Sequence, residues 1–316
     1  MSEPTDEFSF LPEQAADLGV AGALPRGERV DLTLGDGRNL SALRYSPDGA
    51  DAPPAVTFLH GAGLNAHTWD TTILALGLPA LAVDLPGHGD SSWRDDAAYV
   101  ARVLAPDVAA AMDAWTTGPQ LLVGQSLGGL TAAAVAASRP DLVDRVVIVD
   151  ITPGIDPNGG AAQLRQFFAG PTDWATRDEM VERALAFGLG GSRRAAERGV
   201  FHNSRRRADG RFEWKHHFAH LAAAAAADPD VAEAAAARGD ALSAVLGESG
   251  WQDLAEVTAP ITFIRGDHGY VTDADAALFH ERVPGAVMEV IASGHNVQEE
   301  RPGELGRRLR ELAGKH

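Results

Sequence analysis

The sequence predicts an α/β fold built on a mostly parallel sheet, and two observations carry that prediction. Short unbroken apolar runs recur along the chain, as expected of strands that are buried on both faces of a parallel sheet. Helical patterns lie between these runs, near 66–77, 97–117, 127–138 and 273–283, and this alternation indicates β-α-β units with right-handed crossovers. The apolar runs are AVTFLH (55–60), ALAVD (80–84), LLVG (121–124), VVIVD (146–150) and ITFIRG (261–266).

The first part of the chain predicts a β-hairpin that follows an N-terminal extension. Apolar and polar residues alternate through 29–46 on both sides of Gly35–Gly37, which has the composition of a tight turn. Residues 1–27 are polar and carry Pro and Gly. We expect them to form an extension that either packs loosely or caps one end of the fold.

One connection is far longer than a sheet crossover requires. Roughly 110 residues separate the runs that end at 150 and begin at 261, whereas a crossover needs only about 10–12. This segment is rich in alanine and helical in pattern. We therefore predict a helical cap over 152–250, inserted into a core formed by 28–151 and 251–316.

Composition narrows the possible functions and partners. The chain has 316 residues and a formal net charge of −17 without a basic block, which argues against nucleic-acid binding. It contains no cysteine, which excludes disulfides, thiolate catalysis and cysteine-ligated metals. The start, MSEPTDEFSF, lacks the basic and apolar regions of a signal peptide, and no apolar run approaches the ~18 residues of a membrane span. We expect a cytoplasmic protein without membrane partners, whose oligomeric state stays open.

The clearest chemical motif is Gly-Gln-Ser-Leu-Gly at 124–128, between an apolar run and a helical pattern. A serine between two glycines in a strand–turn–helix context is the nucleophile-elbow arrangement. The turn is so tight that side chains at Gly124 and Gly128 would clash. It also lifts the serine to a helix N-terminus, where free N–H groups favour negative charge. We therefore predict that Ser126 is a catalytic nucleophile.

Two backbone N–H groups are expected beside such a serine as an oxyanion hole. A tetrahedral intermediate places negative charge on the former carbonyl oxygen, and preorganised donors stabilise that charge. One predicted donor is the N–H of Leu127, directly after the nucleophile. The second should come from the loop His-Gly-Ala-Gly (60–63), where the N–H of Ala62 is the candidate.

Four motifs, in this order, resemble the α/β-hydrolase superfamily: HGAGLNAHTW, VDLPGHGDSS, VGQSLGG and SGHNVQEERP. The resemblance covers about residues 28–314, although the insertion matches only in position and helical character. It implies a mostly parallel eight-stranded sheet flanked by helices, with a helical cap after strand 6. A serine nucleophile, in place of aspartate, separates this chain from haloalkane dehalogenases and epoxide hydrolases. The resemblance says little about substrate, because this fold hosts many chemistries.

The predicted base is His295, which follows the last strand and precedes the final helix. A neutral imidazole must take the proton of Ser126, and the order of the triad in this fold is serine, acid, histidine. The chain has 11 histidines, and among them His216, His217 and His220 have a helical spacing that could hold a metal. No Asp or Glu in that stretch completes such a site, so we predict no metal.

The acid is harder to assign, because most members of the superfamily carry it after the seventh strand, where this chain has Gly269. It could have shifted within that loop to Asp267 or Asp273. It could instead be Asp150, which ends the sixth strand in the sequence VVIVDITPG. One branch of the family, which includes bacterial acyl-esterases, places its acid there in a similar VDI-x-P context. We favour Asp150, since the ends of parallel strands share one edge and its carboxylate can fix and stabilise the imidazolium.

These residues predict a serine hydrolase that cleaves carboxylic esters through an acyl-enzyme and needs no cofactor. A lactone, thioester or carbon–carbon hydrolase with the same triad is the alternative. A non-catalytic relative that binds a small ligand is the third possibility, and Gly269 is its only support. Aromatic side chains are dense in the cap, which suggests an apolar acyl or ring-bearing substrate between cap and core. The candidates for lining that pocket are Trp214, Phe168 and Phe218.

Overall fold

The computed structural model describes residues 6–47, 52–156, 161–228 and 249–314. Eight strands form one sheet in the order β1-β2-β4-β3-β5-β6-β9-β10, and β7 pairs with β8 in a separate hairpin. The strands are β1 (Arg26–Thr33), β2 (Asn39–Ser46), β3 (Val56–Leu59), β4 (Ala80–Asp84), β5 (Gln120–Gln125), β6 (Val143–Val149), β7 (Ser204–Arg206), β8 (Phe212–Trp214), β9 (Ile261–Gly266) and β10 (Val287–Ile291).

The prediction of a mostly parallel eight-stranded sheet is confirmed. The pairs β1–β2 and β2–β4 are antiparallel, and the other pairs in the large sheet are parallel. Each predicted apolar run forms a strand, and every residue of β3, β4 and β5 is buried. The predicted hairpin is β1–β2, closed by a turn in which the Leu34 N–H donates to the Arg38 carbonyl.

Helices cover both faces of the sheet, and the sheet separates two apolar clusters. Leu122 of β5 belongs to one cluster, whereas Leu121 and Val123 belong to the other, as the alternation of a strand requires. No helix within the described ranges is both long and apolar enough to cross a bilayer. The helices are α1 (Leu11–Leu18), α2 (Asp70–Leu76), α3 (Ala101–Trp115), α4 (Leu127–Ser138), α5 (Ala161–Phe168), α6 (Arg177–Ala186), α7 (Arg193–Asn203), α8 (Phe218–Ala227), α9 (Gly250–Glu256), α10 (Asp273–Arg282), α11 (Val297–Glu300) and α12 (Pro302–Ala313).

The long insertion follows β6, but its described part is not helical throughout. It contains α5 to α8 together with the short β7–β8 hairpin. The hairpin turns at Gly210, whose φ of +85° is accessible to glycine. The second half of the predicted alanine-rich cap, 229–248, lies outside the described residues.

The N-terminal extension caps one side of the fold and packs closely against it, contrary to the alternative of loose packing. Helix α1 packs on α2, and Leu11 and Ala15 are buried in the same apolar cluster as that helix. Its outer face forms ion pairs with α7, in which Arg194 contacts Glu13 and Asp17. The extension therefore joins the core to the inserted segment.

A buried network of charges also ties the extension to the core. His67 contacts two carboxylates, Asp70 at Nδ1 (3.0 Å) and Glu7 at Nε2 (3.1 Å), and the Tyr45 hydroxyl donates to Asp70. Burial alone would lower the pKa of His67, but these two carboxylates outweigh it and raise the pKa from 6.5 to about 9. His67 is therefore an imidazolium at neutral pH.

We predict that His67→Gln destabilises the protein more at low pH than at high pH. The folded state retains this proton up to about pH 9, whereas the unfolded chain loses it near 6.5. The stabilisation is complete below pH 6.5 and disappears as the pH rises through 9, and it amounts to about 3 kcal/mol. Urea unfolding of wild type and variant near pH 6 and near pH 10 measures it.

The matched control is His280→Gln, because His280 lies exposed on α10. Its free energy of unfolding should follow that of the wild type at both pH values. If His67→Gln lowers the free energy of unfolding equally at both pH values, that result would contradict a charged His67.

Candidate active site

Ser126 stands in a strained turn between β5 and α4. Its φ is +52° and its ψ is −123°, a conformation that side-chain-bearing residues rarely adopt. A Cβ at Gly124 would lie 2.1 Å from the carbonyl oxygen of Gly128, and a Cβ at Gly128 would lie 2.2 Å from the carbonyl oxygen of Leu59. Both glycines are therefore required by close backbone contacts, and the turn points the Ser126 side chain into a cavity.

Asp150 follows β6 directly and is fully buried. Its carboxylate accepts a hydrogen bond from Nδ1 of His295 at 2.7 Å. Two backbone groups donate to it as well, the N–H of Gly266 (3.0 Å) and the N–H of Tyr270 (2.8 Å). Strands β6 and β9 are neighbours in the sheet, so an acid at the end of β6 reaches the same histidine as one after β9 would.

Gly269 occupies the position where the family resemblance expects the acid, and in this structure a side chain there would clash. A Cβ built on Gly269 would lie 2.2 Å from Oδ2 of Asp150, so the carboxylate occupies the space that a side chain at 269 would need. The two alternative acids point elsewhere. Asp267 is 49% exposed and pairs with His268, and Asp273 is 94% exposed and pairs with Arg265.

Two residues that the sequence did not single out contact the imidazole of His295. The ring of Tyr270 stacks on it, with a centroid separation of 3.7 Å and an interplanar angle of 9°. The Gln125 amide nitrogen lies 3.0 Å from Nε2 of His295, and in the described chain Ser126 Oγ makes no hydrogen bond to that nitrogen. An amide donor at Nε2 leaves the ring proton on Nδ1, where Asp150 accepts it.

The candidate oxyanion donors lie on either side of the serine. Leu127 is the first residue of α4, so its N–H has no partner within the helix. The loop that carries Ala62 approaches closely, since a Cβ on Gly61 would lie 3.2 Å from the Ser126 Cβ. The side-chain amide of Asn203, on α7, donates to the Gly63 carbonyl at 3.0 Å and holds this loop from above.

A cavity of about 180 Å³ opens above Ser126 and His295. Phe168 and Trp214, two of the rings named from the sequence, line this cavity. Phe218 does not line it, because its ring stacks behind that of Phe168 at a centroid distance of 5.1 Å. The frequency of aromatic residues in the sequence indicated the interior of the cap. It could not distinguish rings that line the cavity from rings that pack behind them.

Comparison with known proteins identifies the family of the chain. The sequence profile of the alpha/beta hydrolase family matches residues 58–308. The esterase Rv0045c of Mycobacterium tuberculosis is 38% identical over 309 residues, which cover 95% of this chain and 93% of that relative. A solved structure of the same esterase has a TM-score of 0.79 at 36% identity and covers 97% of this chain and 98% of its own.

The chain belongs to the alpha/beta hydrolase family. The sn-1-specific diacylglycerol lipase ABHD11 of Mus musculus is a more distant relative. It is 36% identical over 150 residues, which cover 43% of this chain and 48% of the lipase.

In the part of the chain that the structure describes, the histidines other than His295 contribute to one cluster with ligand spacing, and its chemistry does not suit a metal. His67, Asp70 and His202 offer ligand atoms within 4.8 Å of one another, but both nitrogens of His67 are already bonded to carboxylates. A doubly protonated imidazole has no lone pair for a metal. Among the described residues, His216, His217 and His220, whose spacing the sequence analysis considered, do not come together with metal-ligand spacing.

We predict that Gly269→Ala impairs the site while the fold persists. The new Cβ must displace the Asp150 carboxylate from His295, and a histidine without its acid is a poor base. The rate at which a fluorophosphonate labels Ser126 should fall by at least about 100-fold. Gly285→Ala is the matched control, since nothing lies within 4 Å of a Cβ at that exposed position. Equal labelling rates in both variants would contradict the steric assignment of Gly269.

Proposed function

We propose that the protein is a serine esterase that cleaves carboxylic esters through an acyl-enzyme. The observation that carries the proposal is the 2.7 Å hydrogen bond between buried Asp150 and His295, at the sheet edge where Ser126 enters the same cavity. The named activity of its 38% identical relative, an esterase, supports ester cleavage in particular.

The reaction follows from the positions of these side chains. Ser126 Oγ attacks the ester carbonyl while Nε2 of His295 takes its proton, and Asp150 stabilises the resulting imidazolium. The N–H groups of Leu127 and Ala62 donate to the oxyanion. His295 then protonates the alcohol oxygen as the carbon–oxygen bond breaks. A water molecule attacks the acyl-enzyme, gives its proton to His295 and releases the acid, after which Ser126 regains the proton.

Gln125 has to leave Nε2 of His295 for the first proton transfer. Its amide nitrogen also lies 3.2 Å from the His295 carbonyl and 3.4 Å from Oδ1 of Asn296, so other acceptors are within reach. A small rotation of one amide therefore frees the base for Ser126.

We predict that Asp150→Asn lowers the hydrolysis of p-nitrophenyl butyrate by about 10⁴-fold, because the amide favours the wrong imidazole tautomer. Asp267→Asn is the matched control and should retain the wild-type rate. Rates of p-nitrophenol release measure both, and circular dichroism checks that each variant is folded.

A loss confined to Asp267→Asn would contradict the assignment of the acid to the end of β6. Failure of the wild type to hydrolyse p-nitrophenyl butyrate would contradict the esterase proposal. It would favour a lactone, thioester or carbon–carbon bond as the substrate of the same triad.

A further inference from the structure

The cavity above Ser126 has two walls of different chemistry. The apolar wall comes from the inserted segment, and the polar wall is assembled from α1, the segment before and within α2, and α7. The apolar wall consists of Leu164, Phe167, Phe168, Leu189, Val200 and Trp214. The polar wall consists of Gln14, Thr68, Thr71, Arg198, His202 and Asn203.

Hydrogen bonds join members of the polar wall to their neighbours. The amide nitrogen of Gln14 donates to the Thr71 hydroxyl at 3.1 Å. The hydroxyl of Thr68 donates to Glu299 at 2.7 Å, and Glu299 also faces the cavity. The ring of His202 stacks on that of His67 at 3.7 Å. Hydrogen bonds and ring stacking therefore fix the positions of these polar side chains.

Three atoms of the polar wall lack a hydrogen-bond partner within the described chain: Oε1 of Gln14, Oδ1 of Asn203 and Nε2 of His202. Gln14 is 3% exposed and His202 is 5% exposed, so bulk water has little access to these side chains. Burial lowers the pKa of His202 well below 6.5, which keeps its ring neutral. A buried carbonyl oxygen without a donor is costly, and the two amides therefore favour a ligand that brings hydroxyl groups.

The charges around the polar wall do not favour an anion. Arg198 lies 3.4 Å from Glu13, and the imidazolium of His67 lies between Glu7 and Asp70. Each cation is therefore already matched by carboxylates, and Glu299 adds a further acidic side chain. A neutral group with hydroxyl donors meets the unpartnered amide oxygens without placing a second negative charge there.

The polar wall lies in the same cavity as His295. Because His295 is the base, this position determines which part of the ester contacts the polar wall. His295 protonates the departing alcohol, so the alcohol leaves on the side of that ring. Glu299 lies in α11, four residues after His295, and accepts a hydrogen bond from Thr68 of the polar wall. The ring of Phe168 packs against the loop of Ala62, since a Cβ on Gly63 would lie 2.7 Å from that ring. The acyl chain accordingly meets aromatic rings.

We propose that the polar wall is a subsite for the alcohol part of the ester and takes a neutral polyhydroxylated alcohol such as glycerol, with Gln14 of α1 as a specificity-determining residue. This inference rests on the proposed esterase function. It assigns a binding role to the N-terminal extension, which contributes no residue to the triad.

The test compares two esters of one acid, 1-monobutyrin and propyl butyrate, which differ only by two hydroxyl groups. The ratio of their kcat/KM values does not depend on the fraction of active enzyme. We expect the wild type to prefer 1-monobutyrin by at least about tenfold, and the ratio to fall about three- to tenfold in Gln14→Met and in His202→Phe, as loss of one hydrogen bond implies. Gln252→Met, at an exposed position on α9, is the matched control and should keep the wild-type ratio.

A wild-type ratio near one, or a ratio unchanged in both variants, would overturn the subsite. A stronger preference for O-butyrylglycolate, whose alcohol part ends in a carboxylate, would identify a site for anions and would also overturn it. Hydrolysis of p-nitrophenyl butyrate separates the two levels of inference. If that ester is cleaved without any preference for 1-monobutyrin, only the subsite fails, whereas if no ester is cleaved the proposed function itself fails.

Discussion

The Asp150 carboxylate is the group on which the arrangement of this site depends. It is fully buried, and a buried carboxylate is tolerated only when its oxygens are hydrogen bonded. Its donors are the N–H groups of Gly266 and Tyr270 and the ring of His295. The two backbone donors lie at and just after the end of β9, so the carboxylate fixes the path of the chain there as well as the histidine.

That constraint changes the role of the loop after β9. The family resemblance implies an acid within this loop, whereas in this structure the loop surrounds a carboxylate that comes from the end of β6. The loop approaches closely enough to donate two N–H groups, and there is no room for a Cβ at Gly266 or Gly269. A Cβ on Gly269 would meet the carboxylate at 2.2 Å, and a Cβ on Gly266 would meet the Gly294 carbonyl at 2.3 Å. The absence of an aspartate at 269 is thus a consequence of Asp150 and not a sign of lost function.

Most of the core could be predicted from the sequence because it rests on local patterns. Buried parallel strands are unbroken apolar runs, and the elbow needs glycines at fixed positions, so Ser126 and His295 could be proposed from their motifs and their order along the chain. That order did not choose the acid among Asp150, Asp267 and Asp273, and Asp150 was favoured because it ends a predicted strand. The contacts of Gln125 and Tyr270 with His295 could not be predicted. They join side chains from different strands, and no local spacing encodes which rotamer brings them together. The three-residue strands β7 and β8 are too short to show an alternation, which is why they were absorbed into a helical cap.

The N-terminal helix shows how a polar composition can hide a buried face. Residues three and four apart lie on one side of a helix, so Leu11, Gln14 and Ala15 share a face, and all three are buried. Leu11 and Ala15 enter the apolar cluster beside α2, whereas Gln14 reaches the cavity above Ser126. The exposed ion pairs between α1 and α7 contribute little individually, and the buried contacts hold the helix in place. A glutamine on a buried helix face costs free energy unless its amide is used, and Gln14 lines the cavity of the proposed substrate.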